Sequence, residues 1–298
     1  MQQHKVTVVG SSNVDITALM ARLPGPGETV LAESYQLSPG GKGANQALAA
    51  RLAGADTEFI GAVGHDSHAE VALSQLAEAG VVLDRVQRVQ APTGVAIIQV
   101  DQAAENSIAV VPGANAMVTG EVVAEAGELQ GIVVLQGEIP SSGIAAAMSA
   151  ATSRVVLNLA PVIELDREYL LAANPLVVNE HEAALILAQL DGSAELSTEP
   201  ETVVAAKLLE HGVSSVVITL GGKGCLVAEN GTVEQLEAVK VQAVDTTGAG
   251  DAFTGALAAR LAAGRTLSEA AQFAGRFAAL TVQHHGAQSS YPRSLDEL

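Results

Sequence analysis

Residues 132–157 read IVVLQGEIPSSGIAAAMSAATSRVVL. The apolar run Ile132 to Leu135 is too short for a helix and shows no polar alternation, so it reads as a strand buried on both faces. Ser141 to Ala151 follows as an alanine-rich helix, and Arg154 to Leu157 as a second buried strand. Strand, helix and strand in succession form a βαβ unit, which makes the strands parallel and lays the helix on one sheet face. The same rhythm extends both ways along the chain. Upstream lie a strand at Lys5 to Gly10, a helix over 41–54 with a glycine stop, a strand at Asp56 to Ala62 and a helix from Asp66 to Ala79, stopped by Gly80. Downstream come a short strand at Leu176 to Val178, helices at Glu180 to Leu190 and Glu201 to Glu210, and a strand at Val216 to Leu220. The final helices, Gly250 to Ala263 and Leu267 to Val282, are apolar on several sides and are expected to be deeply packed. The expected fold class is α/β, with a mostly parallel central sheet and helices on both faces.

Two stretches break the rhythm. Glu28 to Ser38 and Thr93 to Val111 have strand character without an intervening helix. Within the second, Val95 to Val100 and Ser107 to Val111 flank the polar segment Asp101 to Asn106, as in a hairpin. These strands are expected to form a small β-sheet lid. With no repeat and no Pro- and Ser-rich linker, residues 1–298 read as a single domain, its lid drawn from about 11–40 and 92–112.

Composition narrows the chemistry. Fifteen basic against 33 acidic residues leave a net charge of −18, a field that repels nucleic acid and anionic membrane surfaces. It does not exclude a bound phosphate, which backbone amides can hold. The single cysteine, Cys225, excludes an internal disulfide and a Cys-based zinc cluster, in keeping with a cytoplasmic protein. No apolar run reaches the length of a membrane span, and Met1 to Gly10 enters a strand with no signal-peptide pattern. His65, His68, His284 and His285 have no carboxylate or Cys partner at metal-ligand spacing and read as surface or loop residues.

Asp245-Thr246-Thr247-Gly248-Ala249-Gly250-Asp251 stands directly before a helix. Glycines at such a junction leave backbone amides pointing outward, and the helix dipole completes an anion site. A carboxylate there suits a general base that takes the proton of a hydroxyl attacking a terminal phosphoryl group; its other use is to cap the helix. Gly40-Gly41-Lys42-Gly43-Ala44-Asn45 opens another helix. It is not a P-loop, because Gly43 follows Lys42, and neither stretch is a dinucleotide fingerprint. Lys42 and Asn45 share the first helical turn and can face one ligand.

Further polar residues stand at the carboxyl ends of strands, where ligands bind in open α/β sheets. Asn13 and Asp15 alternate after the first strand, and such a pair suits the hydroxyls of a sugar. Glu138 follows the strand Ile132 to Leu135. Asn179 and Glu182 follow Leu176 to Val178, and their oxygens suit a hydrated Mg2+. Thr219 to Gly224 closes another strand with a glycine turn.

Together, the two glycine-rich stretches resemble the paired signatures of the ribokinase-like carbohydrate kinases, a likeness that runs from Gly10 to about Pro292. Gly10-Ser11-Ser12-Asn13-Val14-Asp15, Pro26-Gly27-Glu28-Thr29, Gly113-Ala114-Asn115 and Gly286-Ala287-Gln288 narrow the resemblance to members that act on ribose. The resemblance implies ATP-dependent phosphorylation of the ribose 5-hydroxyl, with deoxyribose, fructose or mere sugar and nucleotide binding as alternatives. It makes Asp251 the general base, and assigns sugar contacts to Asn13, Asp15, Gly41, Lys42, Asn45 and Glu138. Gly248, Ala249 and Gly250 match the anion hole, and Asn179, Thr219, Gly221 and Gly224 match nucleotide contacts. Glu182 matches a position associated with Mg2+ and phosphate, while Asp245, Thr247, Thr281, His284, Gly286 and Ser290 align with a potassium-binding loop. It further implies a homodimer joined through the lid strands, which would cover exposed sheet edges.

Overall fold

The computed structural model describes residues 4–103 and 105–297; residues 1–3, 104 and 298, part of the expected 1–298 domain and of the expected 101–106 turn, lie outside the described residues. In chain order the strands and helices are β1 (Lys5–Val9), β2 (Asn13–Met20), β3 (Ala32–Gly40), α1 (Lys42–Leu52), β4 (Asp56–Gly64), α2 (His68–Ala79), β5 (Val86–Val89), β6 (Gly94–Val100) and β7 (Asn106–Val111). They continue as α3 (Gly120–Glu125), β8 (Ile132–Gln136), α4 (Ser141–Ala150), β9 (Val155–Asn158), α5 (Arg167–Ala172), β10 (Leu176–Asn179), α6 (Glu180–Asp191) and α7 (Glu201–Glu210). The last are β11 (Ser215–Thr219), β12 (Cys225–Glu229), β13 (Thr232–Leu236), α8 (Ala249–Ala262) and α9 (Leu267–Thr281).

Among the described residues the main sheet runs β13-β12-β11-β10-β9-β8-β1-β4-β5, parallel except for β12 and β13. Its inner strands, such as β8 and β11, are largely apolar and buried because both faces are covered, whereas the edge strands β5 and β13 carry polar, partly exposed residues. Val6, Val8, Val134 and Val217 pack with α1, α8 and α9 on one face; Val9, Leu135, Val178 and Ile218 pack with α3 to α7 on the other. The abundant alanine lets α1 and α8 approach closely. A Cβ on Gly255 of α8 would collide with the Gln46 carbonyl of α1. That close approach sets the first glycine-rich stretch beside the second.

The lid is a separate sheet of order β3-β2-β6-β7, and the expected β6–β7 hairpin is there. Asn13 and Asp15, which follow the first body strand and fall within the expected 11–40 lid range, begin β2, an inner lid strand, because the chain leaves the main sheet at Ser11 and Ser12. The structure corrects one expectation about the lid. The strand expected from Glu28 starts only at Ala32, since Glu28 closes a turn through its amide on the Gly25 carbonyl (3.0 Å) and its carboxylate on the Gly25 amide. The β12–β13 hairpin and the short helices α3 and α5 were not expected from the pattern.

Candidate active site

Gly248 precedes α8 in the left-handed conformation (φ 73°), where a Cβ would lie 2.7 Å from that of Ala287. A glycine is therefore required for the tight entry. Among the described residues the amides of Gly248, Gly250 and Asp251 meet no carbonyl, leaving donors at the positive end of a 14-residue helix. Tyr291 donates its hydroxyl to the Gly248 carbonyl at 3.1 Å, and burial pushes that phenol well up, so it stays a donor.

Asp251 lies in the first turn of α8, yet it does not cap the helix. Its side chain turns inward, 6% exposed, and accepts from Asn45 Nδ2 on Oδ2 and from Gln46 Nε2 on Oδ1, both at 2.9 Å. The capping use of this carboxylate is thereby set aside. Lys42, at the head of α1, is held above its ordinary pKa first by the charge of Asp251 and then by those of Glu138 and Glu182, and so is a firm cation between three carboxylates.

Glu138 lies just past β8. It accepts from Ser11 Oγ (2.5 Å) and the Lys42 amide (3.0 Å), which locks one carboxylate oxygen and fixes the entry of α1. Gly41 there has φ 90°, and a Cβ would come within 2.8 Å of the Asn13 amide. Asp15 reaches over from the lid strand and packs on Gly40, where a Cβ would run into both of its carboxylate oxygens. Burial, with Glu138 and Asp251 adding repulsion, pushes the Asp15 carboxyl up to about 6. Asn13 is 3% exposed and accepts from Asn115 Nδ2 at 2.7 Å, while Asn115 Oδ1 takes the Ser12 amide at 2.9 Å. Asn115 thus anchors the point where the body becomes the lid.

On the other side of the α8 N-terminus opens a cavity of about 410 Å3, lined by Thr219, Gly221, Gly224, Ala249, Gly250 and Phe253 among others. Much of its wall is apolar, with Val239, Val241 and Val282 opposite the glycine turn. Asn179 and Glu182 cap α6 reciprocally: Asn179 Oδ1 takes the Glu182 amide at 2.8 Å, and Glu182 Oε2 takes the Asn179 amide at 2.9 Å. A polar cluster of three carboxylates, Asp15, Glu138 and Asp251, and a lysine therefore meets a largely apolar cavity at a helix N-terminus with free amides.

The sequence matches the profile described as "pfkB family carbohydrate kinase" over residues 3–294. The chain belongs to that family. It is 40% identical to the ribokinase of Schizosaccharomyces pombe, covering 98% of this chain and 96% of that one. A solved ribokinase from Thermotoga maritima superposes with a TM-score of 0.91 at 34% identity, over 98% of this chain and 97% of that one. An Arabidopsis thaliana ribokinase solved as a complex with ribose and ATP gives a TM-score of 0.83 at 36% identity, with 96% and 95% covered.

Within this pfkB kinase, Asp251, Asn45, Lys42, Glu138 and Asp15 converge on one pocket, and Thr219, Gly221, Gly224, Ala249 and Gly250 on the adjoining cavity. Asp245 ties its own turn to the 281–290 loop through the Thr247 amide (2.9 Å) and the Gly286 amide (2.8 Å). Burial would raise the Asp245 carboxyl, but those bonds outweigh it and hold it below its usual range. The Thr281 and Ser290 hydroxyls are spent on the carbonyls of Phe277 and Ala287, and His284 is exposed. Sequence reasoning passed over Gln46, Gln136 and Asn158, and quoted Asn115 and Gln288 only within stretches that carry the resemblance, with no role assigned. The signal available was an amide inside an alanine-rich helix, Gln46 between Asn45 and Ala47, where a polar side chain needs a partner.

Proposed function

We propose that this carbohydrate kinase transfers the γ-phosphoryl group of ATP to the 5-hydroxyl of D-ribose, giving ribose 5-phosphate and ADP. The observation that carries the reading is the placing of Asp251, a buried carboxylate fixed by two amide donors beside the unpaired amides of the α8 N-terminus. There it takes the hydroxyl proton as general base while the Gly248-Ala249-Gly250 turn carries the charge that grows on the transferring group, through the free amides of Gly248 and Gly250, since the Ala249 amide already donates to the Thr246 carbonyl at 3.2 Å. Asn13, Asp15, Gly41, Lys42, Asn45 and Glu138 hold the sugar. Asn179, Thr219, Gly221 and Gly224 contact the nucleotide in the neighbouring cavity. The lid excludes water, so the sugar competes with hydrolysis. The Arabidopsis relative, solved with ribose and ATP, supports this choice of substrates.

Two ions fit the residues present. Among the described residues no three acidic, His or Cys side chains are placed to hold one metal ion between them, and Glu182 keeps Oε1 outside its capping box. That suits a Mg2+ held mostly by nucleotide phosphates and water, with Glu182 nearby, where it neutralises phosphate charge. In the Asp245, Thr247, Thr281, His284, Gly286 and Ser290 loop, the side-chain oxygens of Asp245, Thr281 and Ser290 are engaged by the chain itself. A potassium ion there is held by backbone carbonyls.

The chain acts as one domain and as a homodimer through the lid, in the cytoplasm. Tyr35, Leu37, Ile97, Ile108 and Val110 of the lid are 72, 44, 44, 56 and 51% exposed, and β3 and β7 are free edges. No helix among the described residues is long and apolar enough to cross a membrane. ADP release from Mg-ATP with ribose, deoxyribose, fructose, fructose 6-phosphate and adenosine, with and without potassium, tests the reading. Turnover is expected on ribose and raised by potassium; turnover on another acceptor alone overturns the substrate, and none on any acceptor overturns the activity.

A further inference from the structure

The Asp251 carboxylate is the end of a buried chain of amides that reaches across the sheet. Asn158 of β9 donates Nδ2 to the Val177 carbonyl at 2.8 Å. A backbone carbonyl only accepts, so Asn158 must turn its own Oδ1 toward Gln46, and Gln46 must answer with its NH2 (2.9 Å). The same Nε2 donates to Asp251 Oδ1. Gln46 Oε1 is then left to accept from Gln136 Nε2 of β8 at 2.8 Å. Gln136 Oε1, the end of the chain, is buried without a partner, against Gly10. Gln46 and Gln136 are fully buried and Asn158 nearly so, at 7% exposed. With an acceptor-only carbonyl at one end and a carboxylate at the other, only one orientation makes all four of these bonds, and Gln136 Oε1 is the one amide atom it leaves unpartnered.

The other oxygen is served differently. Asn45 donates to Oδ2 and accepts from Gln288 Nε2 at 2.9 Å, and Gln288 Oε1 is again buried and unpartnered. No fixed acceptor closes that branch. Asn45 and Gln288 can both turn over, and doing so gives Gln288 Oε1 a donor.

We propose that Gln46 is a positioning residue for the general base: anchored by Asn158 and Gln136, it can present only a donor to Asp251 Oδ1, so the substrate proton is received on Oδ2. There the Asn45–Gln288 branch turns to accept the new O–H. The step balances as follows: the sugar hydroxyl passes one proton to Oδ2, its oxygen bonds to the γ-phosphorus, and the bond from that phosphorus to the β,γ-bridging oxygen breaks, its electron pair leaving with ADP. This rests on the reading of Asp251 as the base. The other charged or titratable groups facing Asp251 are Lys42, Asp15 and Tyr291, with Glu138 and Glu182 acting on it through Lys42.

Gln46→Met keeps the length of the side chain and deletes the donor. With Mg-ATP and ribose, kcat is expected to fall about 10- to 100-fold, with ribose affinity by calorimetry within about threefold of wild type. The loss in kcat with ribose affinity kept is the split expected of a positioning residue. A folded variant with wild-type kcat overturns the proposal. If the variant does not fold, the unaltered protein labelled with 15N-glutamine decides. The Gln46 side-chain amide should resist solvent exchange and its resonance should move with pH in the free protein; fast exchange or an unmoved resonance overturns the proposal. That titration needs no substrate, so it stands apart from wild-type failure to turn over ribose, which would instead refute the proposed function.

Discussion

Asn45 Nδ2 donates to Asp251 Oδ2 at 2.9 Å across 206 residues of chain. One bond thus joins the two glycine-rich stretches, each of which opens a helix: Gly41 before α1 and Gly248 before α8. The helices can meet because glycine and alanine line the contact, as at Gly255 against Gln46 and Ala49. The pocket is a consequence of helix packing, and the proposed reaction there depends on Asp251.

Replacing Asp251 by Asn keeps the volume and removes the proton acceptor. Steady-state kinetics should show kcat lower by about 10²–10⁴ with a modest change in KM. Wild-type turnover in this variant contradicts the assignment of the base.

Asp15 carries a pH signature. Its carboxyl, at about 6 when folded against an ordinary 3.8, binds a proton more tightly in the native state. The native state then holds more protons than the unfolded one between those values, so stability falls as pH rises through that window and the cost is complete above about 6. Asp15→Asn should melt higher than wild type at pH 7.5, by about 2–4 °C for each kcal/mol relieved, and together with it at pH 4. The same variant should raise the KM for ribose about tenfold or more, through loss of a hydrogen bond to a charged group. Melting curves that differ equally at both pH values contradict the electrostatic origin.

Most of the body was legible in sequence. Strands such as Ile132–Gln136 are continuous apolar runs and α2 ends at a left-handed Gly80, both signals carried by a few adjacent residues. The glycine-rich helix openings were legible too, since their φ values leave little choice of residue. The lid strand β2 was legible only as part of the 11–40 lid range and not as a strand; the break at Ser11 and Ser12 that starts it is set by contacts with Glu138 and Asn115, over 100 residues away. Gln46, Asn158 and Gln136 escaped for the same reason. Each is unremarkable in its own segment, and their meaning appears only when three elements meet.

Gly248→Ala forces a side chain into the left-handed region at about 1–2 kcal/mol and presses on Ala287. Shifting the α8 entry misaligns the free amides, so kcat should drop by up to about 10² while the KM for ribose changes little. A calorimetric scan with parallel kinetics separates the two effects; unchanged kcat would remove these amides from the reaction.

The exposed lid side chains predict the assembly. Sedimentation velocity should give a dimer for the wild type, and the double variant Ile97→Glu, Ile108→Glu should run as a monomer, since both side chains are about half exposed in the single chain. A wild-type monomer at micromolar concentration would remove the lid-paired dimer.

The most direct measurement is the identity of the product. Mg-ATP and 13C-labelled D-ribose, incubated with the protein and followed by 31P and 13C NMR, should yield ADP and a phosphate ester coupled to carbon 5 of ribose, with no ester when Asp251 is Asn. A phosphate on another carbon, free inorganic phosphate in its place, or unchanged ribose would contradict the account.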